Sequence, residues 1–254
     1  MKKILTTLAC GVLFSTTLMA DVARVEMGAG AWMQSPSGSV SATNGDGLLK
    51  MNGTYTSAED STTEPYLWVL IKHPIPVLPN IRLEYVSLSD VGSIAGTING
   101  ASAGNAKATL DMKQYDIIPY YNILDNTAWI TLDLGLDIKI IQEKAEINNL
   151  VAIPTQSSDY SSSETVAIPL VYARLRIEIP ATDIGLESDI KYITYDNSTI
   201  YDVRAKIDYT FDITPLIQPG IEVGYRIQSY DANVDDVKGE LKFSGFYAGL
   251  MLRF

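Results

Sequence analysis

The chain has 254 residues, 46% of them apolar and 19% charged, with 30 acidic against 19 basic side chains and a single cysteine. A net charge of −11 makes it a poor partner for nucleic acid, and one cysteine rules out an intramolecular disulfide. Beyond the first twenty residues no apolar stretch is long enough for a transmembrane helix, so any membrane crossing must be made by strands.

Lys2 and Lys3 precede a mostly apolar segment, Ile4 to Leu18, and Met19-Ala20 stands before Asp21, where polar sequence begins. That order reads as a secretory signal peptide over residues 1–20, cut between Ala20 and Asp21, because the apolar part is too short and too Thr/Ser-broken to anchor. Cys10, in Leu8-Ala9-Cys10-Gly11, suggests a lipidation signal instead, but only Ile4 to Ala9 precede it and Thr7 stands where Leu is expected. Processing removes two lysines, so 17 of the 19 basic residues remain and the net charge becomes −13. Residues 21–254 then form one domain with no linker or internal repeat.

Period-two alternation runs through that domain. In chain order, strands are predicted at about Val22–Gln34, Pro65–Lys72, Asn80–Ser89, Thr109–Ile123, Trp129–Ile141, Glu164–Ile179, Ile184–Tyr195, Thr199–Ile213, Gly220–Tyr230 and Glu240–Phe254. Gly28-Ala29-Gly30 in the first strand reads as a place where backbone or a bulky side chain approaches closely. In the fifth, Ile130, Leu132, Leu134, Leu136, Ile138 and Ile140 oppose Thr131, Asp133, Gly135, Asp137 and Lys139. A helix would scatter both sets, so the segment is a strand with one greasy and one polar side. Tyr201 to Ile213 repeats the pattern against Asp202, Arg204, Lys206, Asp208 and Asp212.

The connections alternate. Ser35–Glu64, Asp90–Ala108, Gln142–Ser163 and Asp231–Gly239 are expected as long polar loops. Leu124-Asp125-Asn126, Pro180-Ala181-Thr182-Asp183 and Asp212–Pro219 are expected as tight turns. His73 to Asn80 is stiffened by three prolines, and Asp196-Asn197-Ser198 breaks the alternation by being short. The last strand sets Phe254, Leu252, Leu250, Ala248 and Phe246 on one face. A final strand ending in an aromatic, with apolar residues at every second position behind it, is what outer-membrane barrels present to their assembly machinery.

Ten strands, alternating connections and this last strand predict an all-β fold, a transmembrane antiparallel up-and-down barrel with both termini periplasmic. A lipocalin-like barrel would show the same alternation turned inside out. The membrane version is favoured by aromatics near strand ends, such as Tyr85, Tyr121, Tyr192, Phe211 and Phe254. It is favoured also by the stripe from Ile130 to Ile140, which spans ~33 Å of strand and at ~40° tilt stands ~25 Å tall.

Two segments carry a narrower likeness: the Pro-rich turn entering a strand, His73-Pro74-Ile75-Pro76-Val77-Leu78-Pro79-Asn80-Ile81-Arg82-Leu83-Glu84-Tyr85, and the tyrosine-rich Tyr120-Tyr121-Asn122-Ile123-Leu124-Asp125-Asn126. With them the chain resembles the outer-membrane β-barrel proteins of Gram-negative bacteria, and within these an uncharacterised proteobacterial small-barrel family. The resemblance implies an outer-membrane location and brings no activity. Its implied partners are outer-membrane lipid and lipopolysaccharide, the barrel-assembly machinery and periplasmic chaperones, with the barrel a monomer.

The enclosed polar face is expected to form a ladder of both signs, chiefly Arg82, Glu84, Asp133, Asp137, Lys139, Arg174, Arg176, Asp202, Arg204 and Lys206. In a narrow barrel such groups pair across the lumen and plug it, the favoured reading over a charge-ringed channel. A structural or narrow, porin-like role follows. The alternatives are a ligand-binding or adhesin-like surface on the long loops, and an outer-membrane enzyme. Catalysis is disfavoured, because His73 is the single histidine and falls in a turn on the periplasmic side. Asp231-Ala232-Asn233-Val234-Asp235-Asp236 begins like a calcium loop but has Asp236 where glycine is required, and Gly100 to Asn105 lacks the Lys-Ser/Thr of a phosphate loop. No cofactor or metal is expected. Lys242 falls outward near the outer rim; an ordinary rim lysine is the favoured reading, and the alternative is an ammonium that snorkels to lipopolysaccharide phosphates.

Overall fold

The computed structural model describes residues 23–43, 50–75, 77–98, 101–153, 156–214, 216–234 and 237–254. The expected signal peptide, with its Ala20–Asp21 cut and Cys10, lies outside the described residues. The described residues form eleven strands: β1 (Arg24–Thr43), β2 (Lys50–Ser57), β3 (Thr62–Lys72), β4 (Asn80–Ile98), β5 (Ala101–Thr127), β6 (Ile130–Ile153), β7 (Gln156–Glu178), β8 (Ile184–Tyr195), β9 (Ser198–Thr210), β10 (Gln218–Val234) and β11 (Val237–Arg253). All neighbours are antiparallel, and β11 pairs with β1, so the sheet closes on itself.

β2 and β3 occupy one position in the wall. The lower half of β1 pairs with β3 and its upper half with β2, and β4 divides its other edge between the same two strands. The eleven segments therefore fill ten places around the barrel. Closure brings the chain ends together: Val25 N–H donates to Phe254 O at 3.3 Å, and Phe254 N–H donates to Val25 O at 2.9 Å. This end is called the terminal rim below, and the other the hairpin rim.

Three expected loops are largely strand. β1 and β2 pair from Ser37/Thr56 to Thr43/Lys50, β4 and β5 continue to Ile98/Ala101, and β6 and β7 continue to Ile153/Gln156. Residues Asp231–Gly239 likewise complete a β10–β11 hairpin up to Val234/Val237. Outward positions here are polar, as in Gln142, Lys144 and Glu146, so these ladders project beyond the apolar band. Between β5 and β6 the reversal sits at Ala128-Trp129, both left-handed (φ 52° and 66°), rather than at Leu124–Asn126. Asp196 and Asn197 (φ 46° and 62°) make a two-residue hairpin turn whose twist suits the flanking strands.

The outward face carries the apolar residues. Leu134, Leu136, Ile138, Val171, Ile207, Val223, Phe246 and Leu250 are all exposed. Aromatic side chains mark both edges of this band: Tyr121, Tyr209, Phe211 and Phe254 toward the terminal rim, Tyr115 and Tyr192 toward the hairpin rim. Tyr85 and Tyr115 pack at 5.2 Å and Tyr209 and Phe211 at 5.1 Å, the amphipathic rings that settle at a lipid–water interface. Greasy side chains bared in a continuous belt, with ionic ones enclosed, identify a barrel built for lipid.

Gly28 shows why small residues are needed inside. A Cβ there would lie 2.4 Å from the Trp68 indole nitrogen, so the bare backbone makes room for the ring.

Candidate functional site

The interior is ionic. Nine basic and eleven acidic side chains are buried among the described residues, and the ten ladder positions read from the sequence are all within this set. Each is aimed inward by the same two-residue period that turns its neighbours to lipid.

Near the terminal rim, Arg174 donates to Asp133 at 2.6 Å and to Glu187 at 2.8 Å. Arg176 grips Asp208 with both terminal nitrogens, at 2.6 and 2.9 Å, and donates to Glu178 at 2.7 Å. Glu84 occupies the centre. It accepts from Arg82 at 2.6 Å, Lys191 at 2.7 Å and Arg204 at 3.1 Å, with Arg226 at 3.6 Å. Arg204 also holds Asp189 at 2.7 Å. Farther toward the hairpin rim, Lys139 donates to Asp116 at 2.8 Å and Asp202 at 3.3 Å, Lys191 bonds Asp116, and Arg226 holds Asp202 at 2.6 Å. Lys206 donates to Glu222 at 3.1 Å, whose other oxygen accepts from Tyr66 and Trp68 at 2.8 and 2.9 Å.

One member stands apart. Asp137 is fully enclosed, yet neither carboxylate oxygen has a hydrogen-bond partner among the described residues. Across the β6–β7 ladder it pairs with the apolar Leu170.

The lumen is not purely ionic, which the sequence reading missed. Val86, Leu88, Met112, Ile141 and Phe243 are buried inside it, with Leu110, Ile168, Tyr230 and Leu241 packed against them. They form an apolar cap on the hairpin side of the charges. The signal was present in the parity: Val86 and Leu88 share the face of Arg82 and Glu84. Trp32, Trp68, Tyr66, Tyr120 and Tyr172 fill space between the charges, and Lys206 lies 4.5 Å from the Trp68 ring centre. A void of about 10 Å³ lies among Trp32, Tyr66, Arg204, Arg226 and Tyr247, room for about one water.

Above the cap, Asp90 accepts from Tyr55 and, at 2.9 Å, from Ser57. Burial, reinforced by the Asp90 carboxylate, pushes the Tyr55 phenol well up. Glu143 and Glu164 face one another across β6 and β7, and burial with the Glu164 charge raises the Glu143 carboxyl.

His73 is held in its turn. Ile75 N–H donates to its Nδ1 at 3.1 Å, and its Nε2 lies 3.0 Å from Pro79 O as donor. No group of metal-ligating side chains gathers among the described residues. Of the weaker motifs, Asp231 to Asp236 and Gly100 to Asn105 run partly through undescribed positions. Phe254, Leu252 and Leu250 sit on the outer side of β11 beside the β1 seam, with Leu250 and Phe254 exposed.

No protein-family model and no curated protein matches the chain. Among solved structures, the outer membrane protease OmpT from Escherichia coli shares 11% identity with a TM-score of 0.53, covering 91% of this chain and 96% of its own. OprG from Pseudomonas aeruginosa (11% identity, TM-score 0.37, 92% and 96% covered) and the NalP translocator domain from Neisseria meningitidis (13%, 0.39, 98% and 98%) align less closely. The OmpT likeness establishes the fold as that of an outer-membrane β-barrel protein. At such identity it carries no activity across.

Proposed function

We propose that the protein spans the outer membrane as a closed structural barrel, with its terminal rim in the periplasm and its projecting hairpins outside. The observation that carries this reading is the filled lumen. Cross-barrel ion pairs, aromatic side chains and an apolar cap occupy the space a solute would need, and each severed pair would leave a buried charge uncompensated. A charge-ringed channel would need those groups turned toward water instead.

The ladder members act as the cement of the barrel. Phe254, Leu252 and Leu250 serve as the surface by which assembly machinery takes hold of β11. We carry no hydrolytic role over from OmpT; His73, the single histidine, has both ring nitrogens hydrogen-bonded to backbone in a rim turn.

A second reading has support in the hairpins. The β6–β7 ladder runs about twelve residues past the apolar band, ~40 Å of strand, which suits a surface that meets other molecules.

Purified barrel in planar bilayers is expected to give no unitary conductance; clean, reproducible steps overturn the closed lumen. An epitope inserted between Thr43 and Lys50 is expected to label on intact cells. Labelling only after permeabilisation reverses the orientation.

A further inference from the structure

Two depressions lie one above the other on the outer surface, sharing β1, β10 and β11. The lower, about 860 Å³, falls inside the apolar band; Ala31, Ala248, Ala205 and Ser188 make its floor, and Tyr225 and Phe246 rise beside them. Its lining runs across β8, β9, β10, β11 and β1. Ala31 pairs with Ala248 on one side and Ala205 with Ser188 on the other; between these two small pairs β10 contributes Val223, opposite Ala248, and Tyr225, opposite Ala205, so the depression crosses the strands diagonally. Four strand spacings, from β8 to β1, give it ~19 Å of length.

The upper depression, about 580 Å³, is polar, with Ser39, Ser41, Asn52, Thr54, Lys238 and Glu240 around it. Outward positions of β11 join the two in order: Ala248 and Phe246 below, Ser244 and Lys242 between, Glu240 and Lys238 above. Lys242 pairs in register with Ser37 on one side and Ser229 on the other, so hydroxyls flank it. Among the described residues neither Lys238 nor Lys242 forms an ion pair, whereas the enclosed Lys139, Lys191 and Lys206 each have carboxylate partners.

We infer that this trough holds one lipid of the lipopolysaccharide class: an acyl chain below, a phosphate at Lys242, and sugars in the polar depression above. A glycerophospholipid fits the apolar groove equally well but has no saccharide for the upper site. Asp231 and Glu240 there offer acceptors to sugar hydroxyls, and Lys238 offers a second cation to phosphate. The inference rests on the proposed orientation, because this lipid class belongs to the outer leaflet.

The test is native mass spectrometry of the purified barrel in detergent, titrated with purified lipopolysaccharide or with phosphatidylglycerol. One lipopolysaccharide should be retained in preference. Lys242→Ser and Ala248→Phe should each weaken it at least about tenfold, the worth of one charge-assisted hydrogen bond or a filled groove. Heat-dependent gel mobility confirms that each variant folds, and Lys238→Ser, on the projecting hairpin, replaces any that does not. Equal retention of the two lipids, or unchanged affinity in the folded variants, overturns the inference. If the Thr43–Lys50 epitope still labels intact cells, the orientation survives and this inference falls alone.

Discussion

Replacing Glu84 by alanine should loosen the barrel more than any single wall substitution. Glu84 accepts three hydrogen bonds of 2.6, 2.7 and 3.1 Å from Arg82, Lys191 and Arg204, and a fourth cation, Arg226, stands at 3.6 Å. Charged hydrogen bonds are worth about 1.5–3 kcal/mol each, but relaxation and water entry recover part of that. Removing one partner from a buried ion cluster costs about 3–5 kcal/mol, because the remaining charges stay enclosed. With a urea slope of about 2 kcal/mol per molar, the unfolding midpoint in lipid vesicles should fall by about 1.5–2.5 M. Tryptophan emission reports it directly, since the Trp68 ring lies 5.2 Å from the Arg82 guanidinium. Glu84→Gln separates charge from volume, and it should lose most of the same stability. A midpoint for Glu84→Gln within about 0.3 M of the parent, on that same slope, would refute the electrostatic account and leave only packing.

Asp137→Asn should cost under about 1 kcal/mol, as its carboxylate has no partner to lose, whereas Asp202→Asn should cost about 3 kcal/mol through Arg226, Lys139 and Gln228; paired urea titrations compare them. Gly28→Val should drive a side chain into the Trp68 indole and lower stability by about 1–3 kcal/mol, read as a blue- or red-shifted tryptophan band and reduced gel-shift heat resistance. Leu136→Arg, in the middle of the lipid-facing stripe, should cost about 2–4 kcal/mol in vesicles, and a neutral result there would contradict the outward assignment of that face. Glu143 has its carboxyl raised in the folded barrel, so the fold binds the extra proton and loses stability as pH rises through the carboxylate range. Glu143→Gln should therefore stabilise at pH 7, leave pH 4 nearly unchanged and flatten the profile between them.

Where one face is apolar and the other ionic, as from Ile130 to Ile140, alternation alone gives the strand, its register parity and the side that meets lipid. The projecting ladders lack that contrast. Ser35 to Ser41 alternates serine with proline, glycine and valine, and Ser161 to Thr165 is polar at every position, so their strand form comes from pairing with a neighbour rather than from an apolar face. The turn at Ala128-Trp129 was hidden for another reason: neither residue favours a left-handed backbone, while Asp125-Asn126 just before them does. Interleaved charges announced an ionic interior but not its partners. Glu84 meets Lys191 and Arg204, 107 and 120 positions later, and only the closed ring brings them together.

Those separations bear on how the molecule is made. Of the partners of Glu84, only Arg82 is a neighbour on its own strand; Lys191, Arg204 and Arg226 arrive with β8, β9 and β10. Until the late strands dock, the carboxylate must stay wet, so a half-built cylinder cannot dry out. Drying of the middle therefore waits for β8, β9 and β10 to reach β4 across the lumen, and a nascent chain stalled before that remains an open, hydrated sheet.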